Sequence, residues 1–200
     1  MNGYLTTPLQ FLIGTLFSLY VLAILLRFLL QQLQADFYNP VSQFLVKITN
    51  PPLRPLRRLI PGIGGIDVAS LVLMFLIQLL AVALVGARVG AGYLPGLIAT
   101  GAIQPVGTLI GLTIVELVDL AFNVFIFAVI IQAVLSWVNP GAYSPVSSIL
   151  HSLTEPVLRP VRRFIPPMSG LDLSPLVAIL GLQVLKMLVL PPVRQLALGG

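Results

Sequence analysis

Six arginines, arranged as two copies of one short pattern, are the residues of this sequence best suited to chemistry. In each copy an arginine and a proline precede a pair of adjacent arginines, and an aspartate follows the pair. The copies contain Arg54, Arg57, Arg58 and Asp67, and Arg159, Arg162, Arg163 and Asp172. The arginine guanidinium is a planar fork that binds carboxylates and phosphates through two parallel hydrogen bonds. The pattern therefore favours contact with an anionic group.

Three interpretations of these arginines stay open at the level of sequence. They orient the chain in a membrane and reach lipid headgroups. They pair with Asp67 and Asp172, within a copy or across the two copies. They bind a partner protein or a phosphorylated ligand. The two aspartates also lie directly before apolar stretches, where a carboxylate caps the start of a helix.

Other residue types that catalysis needs are scarce. The chain has no cysteine and a single histidine, His151, which excludes thiol chemistry and histidine-clustered metal or haem sites. No nucleophile with a neighbouring base and no phosphate-binding glycine loop occurs at a usable spacing. We therefore expect no enzymatic activity, no cofactor and no bound metal.

The composition indicates a membrane protein. Hydrophobic residues make up 58% of the 200 residues and charged residues only 8%, whereas soluble domains carry about a quarter charged residues. The net charge of +5 comes from few charges, most of them in the two arginine segments. Such clustering predicts membrane topology and not binding to nucleic acid.

Four apolar stretches are long enough to cross a bilayer core of about 30 Å as helices. They cover about residues 11–33, 68–87, 117–138 and 175–193, and the apolar run before the third begins near residue 108. The glycine-rich segment 91–107 is predicted to be an interfacial connector. We therefore predict an all-α membrane protein with four transmembrane helices.

An internal duplication organises the chain. Residues 38–71 align without a gap on residues 143–176, with 17 identities in 34 positions. Self-similarity at a fixed offset is the mark of a repeated structural unit. We expect two parallel repeats, each a membrane helix, a basic amphipathic loop and a second membrane helix, at residues 1–90 and 108–200.

The duplication also predicts topology. Equivalent loops should lie on the same face of the membrane, and seven of the eleven basic residues lie in the two loops. Because basic loops are retained in the cytoplasm, both loops are predicted to be cytoplasmic and both termini to lie on the opposite side.

Each loop begins with a helix signature. Asn39 or Ser144 fits the N-cap, and Pro40 or Pro145 fits the first helical position. An apolar stripe follows in each copy, so we predict a short helix lying on the membrane. The next prolines predict its end, and a second short turn is expected to open at Pro55 in the first copy and at Pro160 in the second.

Ionisable and amide side chains inside the apolar stretches are candidates for function. Lys186 is predicted to pair with Asp119 or Glu116, with snorkelling or an ion pathway as alternatives. Arg27 is close enough to the end of its stretch to reach the headgroups. The repeat-related amides have two interpretations, interhelical hydrogen bonding or the lining of a pore, and they are Gln78 and Gln183.

The motif T-x-P-x-L-R-P-x-R-R-x-I-P, followed by G-x-D, resembles the YggT family, called YlmG in plants and cyanobacteria. The resemblance covers nearly the whole chain and both copies. The positions that match are Arg54, Pro55, Arg57, Arg58, Pro61, Asp67, Arg159, Pro160, Arg162, Arg163, Pro166 and Asp172. The first copy departs from the D-x-S-P ending, with Ala69 and Ser70 where the second has Ser174 and Pro175.

The resemblance implies a small multi-pass protein of the bacterial inner membrane. Family themes are osmotic or ion-stress tolerance, cell division and, in chloroplasts, cytochrome maturation. We expect a non-enzymatic accessory or scaffold protein whose paired loops hold anionic lipid or another membrane or cytoplasmic protein. The alternative is a small channel or transporter, assembled as a homo-oligomer because four helices leave little room for a central pathway.

Overall fold

The computed structural model describes residues 3–89, 92–138, 144–164 and 172–198. The chain is almost entirely helical, as predicted. The helices and strands, in chain order, are α1 (Gly3–Gln32), α2 (Pro40–Leu59), α3 (Val68–Leu84), β1 (Gly86–Val89), β2 (Gly92–Pro95), α4 (Leu97–Thr100), α5 (Val106–Val138), α6 (Pro145–Phe164) and α7 (Ser174–Leu198).

Three helices in the described part of the chain are long and apolar enough to cross a membrane. They are Thr7–Gln32 within α1, the whole of α5 and the whole of α7. The remaining predicted span, the second one along the chain, corresponds to α3, which is apolar but has only 17 residues. It falls at the lower end of the length that a bilayer requires, about 17 residues.

The second predicted span is shorter than expected because the chain turns sharply after Leu84. Gly86 has a φ of +115°, and a Cβ there would lie 2.2 Å from the carbonyl oxygen of Leu94. Only glycine fits such a position. The antiparallel hairpin β1–β2 therefore replaces the last turn of helix predicted for 68–87 and the first part of the predicted connector 91–107.

The two amphipathic loop helices are longer than predicted. Helix α2 has 20 residues and continues through Pro51, Pro52 and Pro55, and α6 has 20 residues and continues through Pro156 and Pro160. The predicted break at these prolines is therefore wrong. A proline removes the hydrogen bond to the carbonyl four residues earlier, and in α2 another group replaces one of these bonds.

That replacement comes from α1. Pro52 cannot donate to the carbonyl of Ile48, and the Tyr20 hydroxyl donates to that oxygen at 3.3 Å. The second repeat has Val157 in place of Pro52 and Phe125 in place of Tyr20. The hydroxyl is thus present in the repeat that carries the additional proline, where it satisfies the Ile48 carbonyl that Pro52 leaves without a donor.

The core joins the two repeats. Helix α3 packs between α1 and α5, where Ile24, Met74 and Val124 share one buried cluster. Helices α5 and α7 approach closely, because Gly111 faces Ala197 with no room for a side chain between them. The amphipathic helices α2 and α6 pack their buried stripes, including Leu45 and Leu153, against the ends of α1 and α5.

Candidate functional site

One arginine of each loop turns inward and pairs with the aspartate that follows it. Arg57 donates to the Asp67 carboxylate, and the Arg162 Nε donates to Asp172 at 3.2 Å. Each pair lies within its own repeat, and its two partners are ten residues apart in the sequence. Each pair therefore fastens the end of an amphipathic helix to the start of the next apolar helix.

Asp67 is the more deeply buried of the two aspartates, with 6% of its side chain exposed. It caps α3, because its carboxylate accepts from the Ser70 hydroxyl at 2.6 Å and from the Ser70 backbone N–H at 3.4 Å. Burial raises the pKa of this carboxyl. The hydrogen bonds from Arg57 and Ser70, together with the Arg57 charge, lower the pKa by more than burial raises it, so the pKa lies below its ordinary value.

Asp172 has the same role at the start of α7 in a wetter setting. Its side chain is 32% exposed, and it accepts from the Ser174 backbone N–H at 2.9 Å. Burial again raises the pKa, while the contacts with Ser174 and Arg162 lower it below the ordinary value. Arg162 also lies 3.5 Å from Glu155, so this second arginine is shared between two carboxylates.

The other two arginines of each loop project away from the protein. Arg54 and Arg58 are exposed and lie four residues apart, on one face of α2. The equivalent residues of α6 are also exposed, and they are Arg159 and Arg163. Within the described part of the chain, none of these four guanidinium groups forms an ion pair. They are free to contact an external anionic group.

Lys186 lies in a polar cluster between α5 and α7. Its Nζ is 2.9 Å from Asp119 Oδ1 and donates to Asn123 Oδ1 at 2.7 Å. Asn123 in turn donates to Asp119 Oδ2 at 2.9 Å. The three side chains hydrogen-bond one another in a closed triangle. Asn123 was not among the predicted partners, although it lies one helical turn after Asp119.

The structure does not bring the two repeat-related glutamines together. Gln78 lies on α3 and Gln183 on α7, and both are half-buried. Neither side chain has a hydrogen bond among the residues described. His151 is exposed on α6. In the described ranges no group of three histidine, aspartate or glutamate side chains is arranged to hold a metal.

The sequence-based prediction that Arg27 reaches the lipid headgroups is wrong. Instead of reaching outward it is buried, with 7% exposure, and its Nη1 donates to the Thr49 hydroxyl at 2.7 Å and the Val46 carbonyl at 3.4 Å. One sequence signal pointed to this contact. Thr49 and its repeat equivalent Thr154 are identical polar residues inside an apolar stripe, and both are fully buried.

The start of α2 lies beside the start of α6. The Asn39 side chain caps α2 by accepting from the Val41 N–H at 2.9 Å, and its amide donates to the Pro145 carbonyl at 2.6 Å. Pro166, Gly170 and the rest of 165–171 fall outside the described residues. The loops of the two repeats thus touch at their first helical turns.

The described structure has apolar helices long enough to cross a membrane. It also has two amphipathic basic helices, each held by an arginine–aspartate pair. These features are those of a helical membrane protein with a duplicated loop. The family model described as CCB3/YggT matches residues 6–88 and 111–193. The chain therefore belongs to the CCB3/YggT family, and the predicted resemblance is confirmed.

Relatives from bacteria match over most of their length. An uncharacterized protein of Pseudomonas aeruginosa is 47% identical over 186 residues, 93% of this chain and 90% of its own. The uncharacterized protein YggT of Escherichia coli K12 is 39% identical, over 90% of this chain and 87% of its own. A chloroplastic YlmG homolog of Arabidopsis thaliana is 35% identical over 40% of this chain and 31% of its own. No solved structure matches the chain significantly.

Proposed function

We propose that this chain is a non-enzymatic accessory protein of the bacterial inner membrane whose outward arginines bind anionic lipid headgroups at the cytoplasmic surface. The outward arginines are Arg54, Arg58, Arg159 and Arg163. The observation that carries the proposal is that the three arginines of each loop fall into two groups. One arginine is used to hold the fold, and the two others remain exposed without an ion pair among the described residues.

Exposed apolar side chains on the same two helices support a location at the membrane surface. Phe44 and Leu59 of α2 are 60% and 80% exposed, and Phe164 at the end of α6 is 86% exposed. A helix that exposes both large apolar and basic side chains suits the boundary between acyl chains and headgroups. Each arginine near an anionic surface contributes about 1 kcal/mol to such binding.

The contact between the two loops supports a shared membrane face. Asn39 and Pro145 are within hydrogen-bond distance, which supports a common depth for the two helix starts. A common face implies an even number of crossings between the loops, and a crossing by α3 together with α5 would provide it. Helix α3 is about 25 Å long at 1.5 Å per residue, and a short apolar helix is accommodated by local thinning of the bilayer.

The polar cluster of α5 and α7 favours this scaffold role over a channel. Lys186, Asp119 and Asn123 satisfy one another across the helix pair. Side chains that satisfy each other in this way join helices, whereas a pore needs polar groups that face a shared aqueous path. Envelope assembly, cell division and osmotic or ion-stress tolerance remain predictions for the process that the scaffold serves.

Lipid retention tests the proposal. The protein is purified from membranes and the phosphatidylglycerol that remains bound is counted by native mass spectrometry. Substitution of the four outward arginines by glutamine should weaken retention by roughly two to three orders of magnitude and leave the unfolding temperature of the lipid-free protein unchanged. A matched variant with four lysines should retain most binding because it keeps the charge.

Two results would contradict the proposal. Retention of phosphatidylglycerol by the glutamine variant at the level of the unmodified protein would show that the outward arginines do not bind headgroups. Ion flux in liposomes that disappears on changing Gln78 or Lys186 would instead favour the channel. A protein partner crosslinked in native membranes, lost in the glutamine variant while lipid retention persists, would move the site from lipid to protein.

A further inference from the structure

A cavity of about 620 Å³ lies between the end of α1, the start of α2 and the loop 60–67. Its volume falls within the range of small-molecule sites, about 300–1,000 Å³. Polar groups on its wall include Arg27, Arg57 and Asp67. Apolar side chains complete the wall, among them Leu30 and Ile66. The cavity is thus a mixed polar and apolar site beneath an amphipathic helix.

Arg27 gives this cavity an uncompensated positive charge. Its Nη1 is occupied by Thr49 and Val46, but Nε and Nη2 have no hydrogen bond among the residues described. The nearby carboxylate of Asp67 is already held by Arg57 and Ser70. Two arginines and one aspartate leave a net charge of about +1, and an unpaired buried charge is costly.

Ser42 supplies a second, independent sign of a missing ligand. Its side chain lines the same cavity, is 6% exposed, and its Oγ has no hydrogen-bond partner within the described structure. The equivalent hydroxyl of the second repeat, on Ser147, bonds to the backbone of Ser144 at 2.8 Å. A buried hydroxyl without a partner is costly to the fold, so an external acceptor would stabilise Ser42.

We propose that this cavity binds a phosphate group, carried either by a lipid headgroup or by a soluble phosphoester. The free N–H groups of Arg27 and the Ser42 hydroxyl donate to the phosphate oxygens, and the Arg57–Asp67 pair leaves the Arg27 charge available to the phosphate. Arginine suits phosphate because its fork presents two parallel donors. The apolar wall accommodates the organic part of the ligand.

The second repeat serves as an internal comparison for the residues that the structure describes there. Gln132 stands where the first repeat has Arg27. A cavity of about 420 Å³ lies beside it, and its described lining is Gln132, Ser147, Ser148, His151 and Ser152. Among these described residues no side chain takes the place of the Arg27 cation.

Thermal unfolding in a non-ionic detergent tests the proposal. Inorganic phosphate, short-chain phosphatidylglycerol and short-chain diacylglycerol are titrated separately. A ligand that binds the folded state raises Tm with concentration. A rise with inorganic phosphate identifies a soluble phosphoester as the source. A rise with phosphatidylglycerol alone identifies a lipid headgroup. No rise with either phosphate-bearing probe, or an equal rise with diacylglycerol, overturns the proposal.

Ser42→Ala is the decisive variant, because its hydroxyl makes no bond in the fold. Without a probe, this variant should unfold at the Tm of the unmodified protein or slightly above it. It should bind the probe that raises Tm in the unmodified protein about tenfold to a hundredfold more weakly. Ser147→Ala should bind like the unmodified protein. Arg27→Gln, which introduces the amide of the second repeat, should abolish the shift. Unchanged affinity in Ser42→Ala would overturn the assignment.

The outward arginines separate this site from the lipid-binding surface proposed above. Replacing Arg54, Arg58, Arg159 and Arg163 with glutamine removes any shift that comes from the outer surface. The part of the thermal shift that Ser42→Ala abolishes should remain in this variant, because none of the four side chains lines the cavity. If the variant loses the whole thermal shift, the binding belongs to the outer surface and the cavity assignment is overturned.

Discussion

The Lys186 ammonium on α7 lies 2.9 Å from the Asp119 carboxylate on α5. Asn123 bonds to both groups, so each charge has two polar neighbours. The pair is partly accessible, at 20% and 26% exposure. It joins the two helices of the second repeat across mostly apolar surfaces.

Exchanging the two charges should therefore restore the stability that single substitutions at these positions remove. Lys186→Met or Asp119→Asn should lower the free energy of unfolding by about 1–2 kcal/mol, the upper range for polar contacts between membrane helices. The double variant Asp119→Lys, Lys186→Asp should recover most of this loss, measured by denaturation in mild detergent. Additive damage in the double variant would show that the two charges do not interact.

The two arginine–aspartate pairs should differ in their contribution to stability. Arg57→Gln leaves the buried Asp67 without its cation and should cost about 1–3 kcal/mol. Arg162→Gln should cost under about 1 kcal/mol, since Asp172 is one-third exposed. Thermal unfolding gives the comparison, and Arg54→Gln is the matched control with no expected effect. An equal cost for Arg57 and Arg162 would contradict the asymmetry between the repeats.

Tyr20→Phe should weaken the first repeat by about 1 kcal/mol, because it removes the hydroxyl that bonds to the Ile48 carbonyl. Tyr38→Phe is the control, since Tyr38 is 83% exposed. Restoring a backbone donor with Pro52→Ala in the Tyr20→Phe background should recover the loss. Failure of this rescue, with denaturation curves unchanged from the single variant, would show that the hydroxyl does not replace the missing N–H.

Close packing of α5 on α7 depends on Gly111. A Cβ at this position would lie 2.5 Å from the Ala197 Cβ and 2.6 Å from the Ala197 Cα. Gly111→Ala should destabilise the protein by about 1–3 kcal/mol through overpacking. Gly181→Ala has open space and should gain up to about 1 kcal/mol from helix propensity. A loss at Gly181 equal to that at Gly111 would instead point to an oligomer contact there.

Features that depend on local pattern could be predicted from the sequence. The N-cap of α2 at Asn39 follows from a polar residue before proline, and the start of α7 at Ser174 agrees to within one residue with the predicted start at 175. The apolar runs that form α1 and α5 exceed the bilayer requirement, so their length alone predicts membrane helices. The repeat also indicated which arginines belong to one structural unit.

Contacts between residues far apart in the sequence could not be predicted from local pattern. The continuity of α2 depends on Tyr20, which lies 28 residues from the carbonyl it satisfies. The burial of Arg27 depends on Thr49, 22 residues away. The end of α3 depends on the approach of Gly86 to Leu94. In each case a residue from another element overrides the local preference of the chain.

Cysteine accessibility tests the central claim, that the basic helices α2 and α6 lie at one membrane face. The chain has no cysteine, so Gln43→Cys on α2 and His151→Cys on α6 each provide a unique thiol at an exposed position. A membrane-impermeant maleimide is applied to intact cells and to inverted vesicles. Both thiols should be protected in cells and labelled in vesicles. Labelling of the two sites from opposite sides would contradict the account.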